Sequence, residues 1–158
     1  MKAQRNDILL LSELQNDARL TNQQLAERVA MSATPCWRRV KQLEESGVIS
    51  GYHARVDREK LGLGILAFIR VKIDSHNEQQ AGRFESEVRQ LRQVIACYAT
   101  GGSADFLLQV VCRDLEAYSD FAMKVVRRLP GIKEMETMFV LKEIKPLSGL
   151  PVDLALNG

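Results

Sequence analysis

The sequence predicts an α+β chain in two parts, a helical N-terminal unit and a C-terminal domain built from two strand–helix–strand repeats. Three observations carry this. Apolar residues recur at helical spacing between residues 6 and 45, first as Ile8, Leu10, Leu11 and Leu14, later as Cys36, Val40 and Leu43. From residue 65 the period falls to two: Ala67, Ile69, Val71 and Ile73 share one face of a strand, and Leu66, Phe68, Arg70 and Lys72 the other. The strand–helix–strand order then occurs twice, the second copy 40 residues after the first when Ile65 is matched to Asp105.

Residues 6–15 form the first helix, and Asn16-Asp17 supplies the turn after it. Residues 21–29 read as a shorter helix, opened by a capping box in which Thr21 and Gln24 each satisfy the other's backbone donor. Only Ala30 and Met31 precede Ser32, whose hydroxyl is placed to cap a third helix; Gly47, which reaches the left-handed conformation at no steric cost, closes it. Two helices joined so tightly suit a helix-turn-helix, with the second presented outward. On that helix Thr34, Arg38, Lys41 and Gln42 point away from the apolar side, flanked by Trp37 and Arg39. Residues 28–43 hold Arg28, Arg38, Arg39 and Lys41 and no acid, which suits the DNA major groove, where arginine pairs with guanine and phosphates attract cations. Geometry alone leaves a second reading open, because paired short helices also occur in proteins that touch no nucleic acid. Residues 47–57 suit an extended segment or small wing, and the two glycines of Lys60–Gly64 mark a joint. The expected domains are therefore 1–60 and 61–158.

In the second domain a helix over 77–92 turns Ala81, Phe84, Val88 and Leu91 inward, and strands follow at 94–99 and 105–112. Asp114 caps a helix with Leu115, Tyr118, Phe121, Ala122, Val125 and Leu129 inward; Pro130-Gly131 ends it, and a fourth strand spans 134–144. Two such repeats combine as a ferredoxin-like sandwich, with four antiparallel strands and both helices on one face. The other face, carrying Leu107, Val111, Met138 and Val140, then lacks a covering layer in the same chain and implies at least a homodimer. Between the repeats, Tyr98–Asp105 (YATGGSAD) is the candidate small-ligand loop. Its adjacent glycines allow close backbone approach, Tyr98, Thr100 and Ser103 offer hydroxyls, and Asp105 offers a carboxylate for an ammonium group. A plain connection between two strands is the competing reading.

Composition narrows the classes. The 158 residues are 46% hydrophobic and 27% charged, as in an ordinary globular protein. Net charge is only +2, and the excess lies in residues 1–60, with ten basic against eight acidic side chains; no polycation argument for nucleic acid is available. Cys36, Cys97 and Cys112 form no CxxC pair and read as buried, reduced thiols. His53 lies near the wing and His76 in a polar turn, and neither has metal-ligand spacing. A phosphate loop of the GxxxxGK[ST] type and a nucleophile–base pair are also missing. No catalytic residue, metal site or cofactor is expected, so the chain does not read as an enzyme. Nor does it show a secretory signal or an apolar run of the roughly 18 residues that a membrane span needs.

Together these stretches resemble the Lrp/AsnC (leucine-responsive, feast-famine) transcriptional regulators. The resemblance is carried by ELQNDARLTNQQLAERV, MSATPCWRRVKQLEESGVISGY, LGLGILAFIRV, CYATGGSADFLLQV, and LPGI followed by FVLKEIK, from about Asp7 to about Pro151. It implies a winged helix-turn-helix that binds double-stranded operator DNA through Ser32, Thr34, Arg38, Arg39 and Lys41. It also implies a ferredoxin-like domain, called RAM in this family, whose dimers assemble further, often to octamers. Effectors, usually amino acids, would bind at Tyr98, Thr100, Gly101, Gly102 and Asp105, where the family's Gly-x-x-Asp pattern falls on Gly102 and Asp105. Trp37 stands where many relatives carry a smaller aliphatic residue; the two readings for it are packing on the first helix, which is favoured, and stacking on the DNA sugar-phosphate edge. The implied protein is cytoplasmic and nucleoid-associated. The competing readings are an architectural DNA-binding protein without an effector, and an enzyme built on the ferredoxin-like half.

Overall fold

A computed structural model describes residues 4–74 and 78–157. His76 and Asn77, read above as turn and helix start, lie outside them. The chain forms two compact units: one runs to Arg55 and includes the segment from Lys145 onward, and the other is Val56–Ile144.

The helical unit contains α1 (Arg5–Asn16), α2 (Asn22–Arg28) and α3 (Ala33–Glu45). Its core is small: Leu10, Leu25, Ala26, Val29, Cys36 and Leu43, with Leu11, Leu14, Leu20, Met31, Val40 and Ile49 packed around them. The Thr21–Gln24 box forms in both directions, at 2.9 and 3.2 Å. At the turn after α2, Ala30 takes a left-handed φ of +52°. The Ala30 N–H donates to the Glu27 carbonyl, and that of Met31 to Ala26, a Schellman closure of the kind usually built on glycine. Gly47 (φ +73°) closes α3 as its sequence position implies. Residues 50–57 follow the helices as irregular chain without a strand partner.

The chain after residue 144 departs from the expected 60/61 division. Gln15 of α1 binds Leu150 twice, its amide donating to the carbonyl at 3.0 Å and its oxygen accepting the N–H at 2.6 Å. A 3₁₀ turn at Val152–Asn157 also packs on α1. Partners 135 residues apart leave no local signal. At the other boundary, Arg58 reaches the Leu63 and Gly64 carbonyls, which places it in the sheet unit.

The sheet unit runs β1 (Ile65–Ile73), α4 (Glu78–Val88), β2 (Val94–Ala99), β3 (Phe106–Cys112), α5 (Leu115–Lys124), a 3₁₀ turn (Val126–Arg128) and β4 (Ile132–Phe139). The strand order is β2-β3-β1-β4 with every pair antiparallel, the ferredoxin-like arrangement. Ala67, Ile69, Val71 and Ile73 of β1 and the alternate residues Phe106–Cys112 of β3 meet Phe84, Val88, Tyr118, Phe121, Ala122, Val126 and Leu129 in one core. Phe84 and Phe106 pack with ring centroids 4.6 Å apart.

Several boundaries differ from the sequence reading. Strand β4 spans Ile132–Phe139 rather than 134–144, because its only neighbour, β1, begins at Ile65; the last ladder bond runs from the Val140 N–H to the Leu66 carbonyl. Helix α4 stops at Val88, where bonds from Gln90 to Glu87 and Leu91 to Val88 tighten the chain and carry Leu91 to the core. Asp114 caps α5 through the Ala117 N–H at 2.7 Å. Leu115, expected inward, is 60% exposed at the first helical position, a turn ahead of the inward-facing Tyr118. Cys97 is exposed, unlike Cys36 and Cys112, because it lies on the edge strand β2.

Candidate nucleic-acid interface and ligand loop

Helix α3 is held by polar clamps at its start and flank. The Asn22 side-chain amide donates to the Ala33 carbonyl at 2.9 Å, tying α2 to the first residue of α3. Pro35 sits in the first turn, where no intrahelical N–H bond is lost. Ser32 occupies the N-cap with extended backbone (φ −74°, ψ 151°), but its hydroxyl makes no cap bond, contrary to the expectation. The first-turn N–H groups of α3 therefore carry no side-chain cap.

Thr34, Arg38 and Lys41 are all exposed, spaced i, i+4 and i+7 on one face. Arg38 makes no ion pair among the described residues. Lys41 pairs with Glu44 at 2.9 Å, and Glu44 also accepts from the Tyr52 hydroxyl at 3.0 Å. Those bonds raise the Lys41 pKa and lower that of Glu44; the Tyr52 phenol is raised, first by burial and then by Glu44.

Arg39, expected at the DNA, is bound within the helical unit. Its guanidinium reaches Asp7 Oδ1 and Gln4 Oε1, each at 2.9 Å, with 29% of its side chain exposed against 9% for Asp7. Asp7 in turn accepts the Gln4 N–H at 2.9 Å. Arg39 therefore sets how α3 sits on α1, while its neighbour Arg38 is presented outward. Trp37, expected to pack on the first helix, is 53% exposed instead. The tilt of α3 that seats Cys36, Val40 and Leu43 in the core leaves it outside.

In the sheet unit, the loop after β2 turns at Gly102 (φ +106°). The Thr100 N–H donates to the Asp105 carbonyl, and the Thr100 hydroxyl to the Ala104 carbonyl, both at 2.8 Å. Asp105 is partly committed to the frame: its Oδ2 accepts the Ile73 N–H at 2.8 Å, and its own N–H donates to the Val71 carbonyl. Its Oδ1 stays without a partner among the described residues. Tyr98 is 55% exposed, and Gly101 lies on the surface.

The strand register sets the loop beside a row the sequence reading did not assemble. Tyr98, Leu107, Arg70 and Glu136 stand side by side across β2, β3, β1 and β4, on the face away from the helices. Arg70 bridges to Glu136 at 2.8 Å and to the Ser103 hydroxyl in the loop. The one available signal was a guanidinium inside an otherwise apolar strand half. The same face carries Leu66, Phe68, Leu107, Val111 and Met138, of which Leu66 is buried, Phe68, Leu107 and Val111 are half-buried and Met138 is exposed. A groove of about 430 Å³ lies between α4 and β2, lined by Val88, Val94, Ile95 and Phe106 with Glu85 and Arg89 at its rim. Cys97 also lines it; surrounding protein and Glu85 push its thiol pKa up.

No three His, Cys, Asp or Glu side chains gather as a metal-binding group among the described residues, and no helix there is long and apolar enough to cross a membrane.

Residues 4–50 match the family of winged helix-turn-helix DNA-binding domains, and residues 66–150 the Lrp/AsnC ligand binding domain. Over 147 residues the chain is 35% identical to the DNA-binding transcriptional activator DecR of Escherichia coli, covering 93% of this chain and 97% of that one. It is 36% identical over 148 residues to the Bkd operon transcriptional regulator of Pseudomonas aeruginosa, covering 94% and 97%. Among solved structures, a transcriptional regulator of Neisseria meningitidis in complex with L-Met superposes with a TM-score of 0.91 at 40% identity, covering 96% and 97%. With a helix-turn-helix presenting Thr34, Arg38 and Lys41 and a ferredoxin-like ligand-binding domain behind it in sequence, the chain belongs to the Lrp/AsnC family of transcriptional regulators.

Proposed function

We propose that this chain is a sequence-specific DNA-binding regulator whose assembly or DNA affinity responds to an amino acid. The observation that carries the DNA half is the division of labour on α3: Arg39 is held by Asp7, while Thr34, Arg38 and Lys41 face outward. Ser32, with its uncapped first turn, adds backbone donors for a phosphate. A homodimer built on the uncovered sheet face would present two such helices to successive major grooves, so the operator is roughly palindromic. Further assembly to an octamer adds multivalency. The protein then acts in the cytoplasm, on the nucleoid.

The effector half is supported by the loop and by the L-Met complex of the Neisseria meningitidis relative. Gly101 and Gly102 leave backbone N–H groups open to a carboxylate, while Asp105 Oδ1, Tyr98 and Thr100 supply polar contacts. A ligand there shifts the equilibrium by its differential affinity for the alternative assemblies.

Retention of fragments from its own promoter region, measured across a salt series with and without each of the twenty amino acids, tests both halves. Salt-sensitive retention that one amino acid alters is expected. Absence of retention removes the DNA reading; retention that no amino acid alters leaves an architectural protein. Arg38→Ala should weaken operator binding by about 1–3 kcal/mol, and an unchanged Kd would take Arg38 out of base contact.

A further inference from the structure

Trp37 is the single tryptophan of the chain, and it stands 53% exposed on α3. Indole carries a large apolar surface, and here it stands among polar and charged neighbours on the helix face. It has no aromatic partner among the described residues: the ring contacts are Phe84–Phe106 and Tyr118–Phe139, both in the sheet unit. Its placement is specific. At about 100° per residue, Trp37 lies within about 40° of Lys41 and 60° of Thr34 around the axis, and Arg38 follows it directly. Trp37 is therefore the apolar edge of a face whose other members are a hydroxyl and two cations. The clamp from Arg39 to Asp7 and Gln4 fixes the roll of α3 and keeps the indole outward.

Cations draw this face to phosphates, and on the floor of the major groove the one apolar group is the thymine C5-methyl. We infer that Trp37 is a specificity-determining DNA contact, its indole packing against a thymine methyl in each half-site. The assignment rests on the DNA-binding reading above. It adds an apolar element, beside Arg38, that favours A·T over G·C at one operator position and is insensitive to salt.

The test uses the full chain and a duplex that it selects from a random-sequence pool. Each thymine is replaced in turn by deoxyuridine, which lacks only the methyl. One position per half-site should weaken wild-type binding about threefold to fourfold, as expected for burying one methyl group. The same replacement should leave Trp37→Ala unaffected, and Trp37→Phe should retain part of the effect. Because Trp37 is the only tryptophan, its emission reports directly: free protein should be open to acrylamide quenching, and the selected duplex should protect it. Equal deoxyuridine sensitivity in wild type and Trp37→Ala overturns the inference. So does unprotected emission in a bound complex, or protection already present in the free protein, which would mean that another copy covers the indole. Either result leaves DNA binding standing, whereas failure to retain any duplex removes the DNA reading itself.

Discussion

The two units solve the problem of holding a surface in place by different means. The sheet unit has a core of fifteen buried residues, with strands bound in a continuous ladder. The helical unit has six, and adds polar clamps: Arg39 on Asp7, Asn22 on Ala33, and Gln15 on Leu150. A small core cannot fix helix orientation by packing alone, so directional hydrogen bonds take up the task. The consequence is that side chains beside the exposed Thr34, Arg38 and Lys41 hold the helix in place, and sequence adjacency does not separate the two kinds. Arg38 and Arg39 are neighbours, yet one is exposed with no ion pair among the described residues and the other is bound to Asp7.

The contrast can be broken at its strongest point by Leu10→Ala, which removes a fully buried side chain of the small core. The expected cost is about 2–5 kcal/mol, concentrated in the helical unit, with duplex retention lost while the sheet unit survives limited proteolysis. A single cooperative loss of both units would show that they are not separately held. Next in size, Asp7→Ala strips Arg39 of its ion-pair partner and should cost about 1.5–3 kcal/mol, the range for hydrogen bonds to charged groups. Thermal melting reads this, and a duplex affinity reduced beyond the fraction unfolded would show that the clamp also aims α3.

On the sheet side, Asp105→Ala leaves the Ile73 N–H without its acceptor and should cost about 1–3 kcal/mol. Asp105→Asn keeps an acceptor oxygen, so it should preserve most of the stability while weakening an ammonium-bearing ligand. Equal melting temperatures for wild type and Asp105→Ala would show that the anchor contributes nothing. Smallest is Ala30→Gly, which relieves a left-handed alanine and should stabilise by about 0.5–1 kcal/mol after the added freedom of the unfolded chain. A lowered melting temperature would mean that the Ala30 methyl contributes packing that outweighs its backbone strain.

What could be read from the sequence follows the range of each interaction. The Thr21–Gln24 box, the Asp114 cap and the Gly47 closure each operate within a few residues, and all three are present. Alternation in β1 and β3 assigned the buried face because side-chain direction in a strand depends on parity alone. The outward placement of Thr34, Arg38 and Lys41 was likewise visible from helical period. The hold on Arg39 was not legible because its partner lies 32 residues earlier in the chain, and helical period set Trp37 beside the outward face without deciding whether the indole packs on α1. The candidate loop was singled out by its glycines, but not the row of Tyr98, Leu107, Arg70 and Glu136 beside it, which exists only once four strands take their register.

By itself, then, the sequence determined the elements, their order, the helix-turn-helix and the repeated strand–helix–strand plan, because caps, periodicity and turn chemistry are local properties. Tertiary structure alone decided where β4 ends, which arginine is free, how the tail from Lys145 packs on α1, and that Asp105 anchors the end of β1 as well as lining the loop. Those outcomes depend on which distant groups meet, and a hydrogen bond between residues far apart in the chain writes no pattern into the residues around either partner.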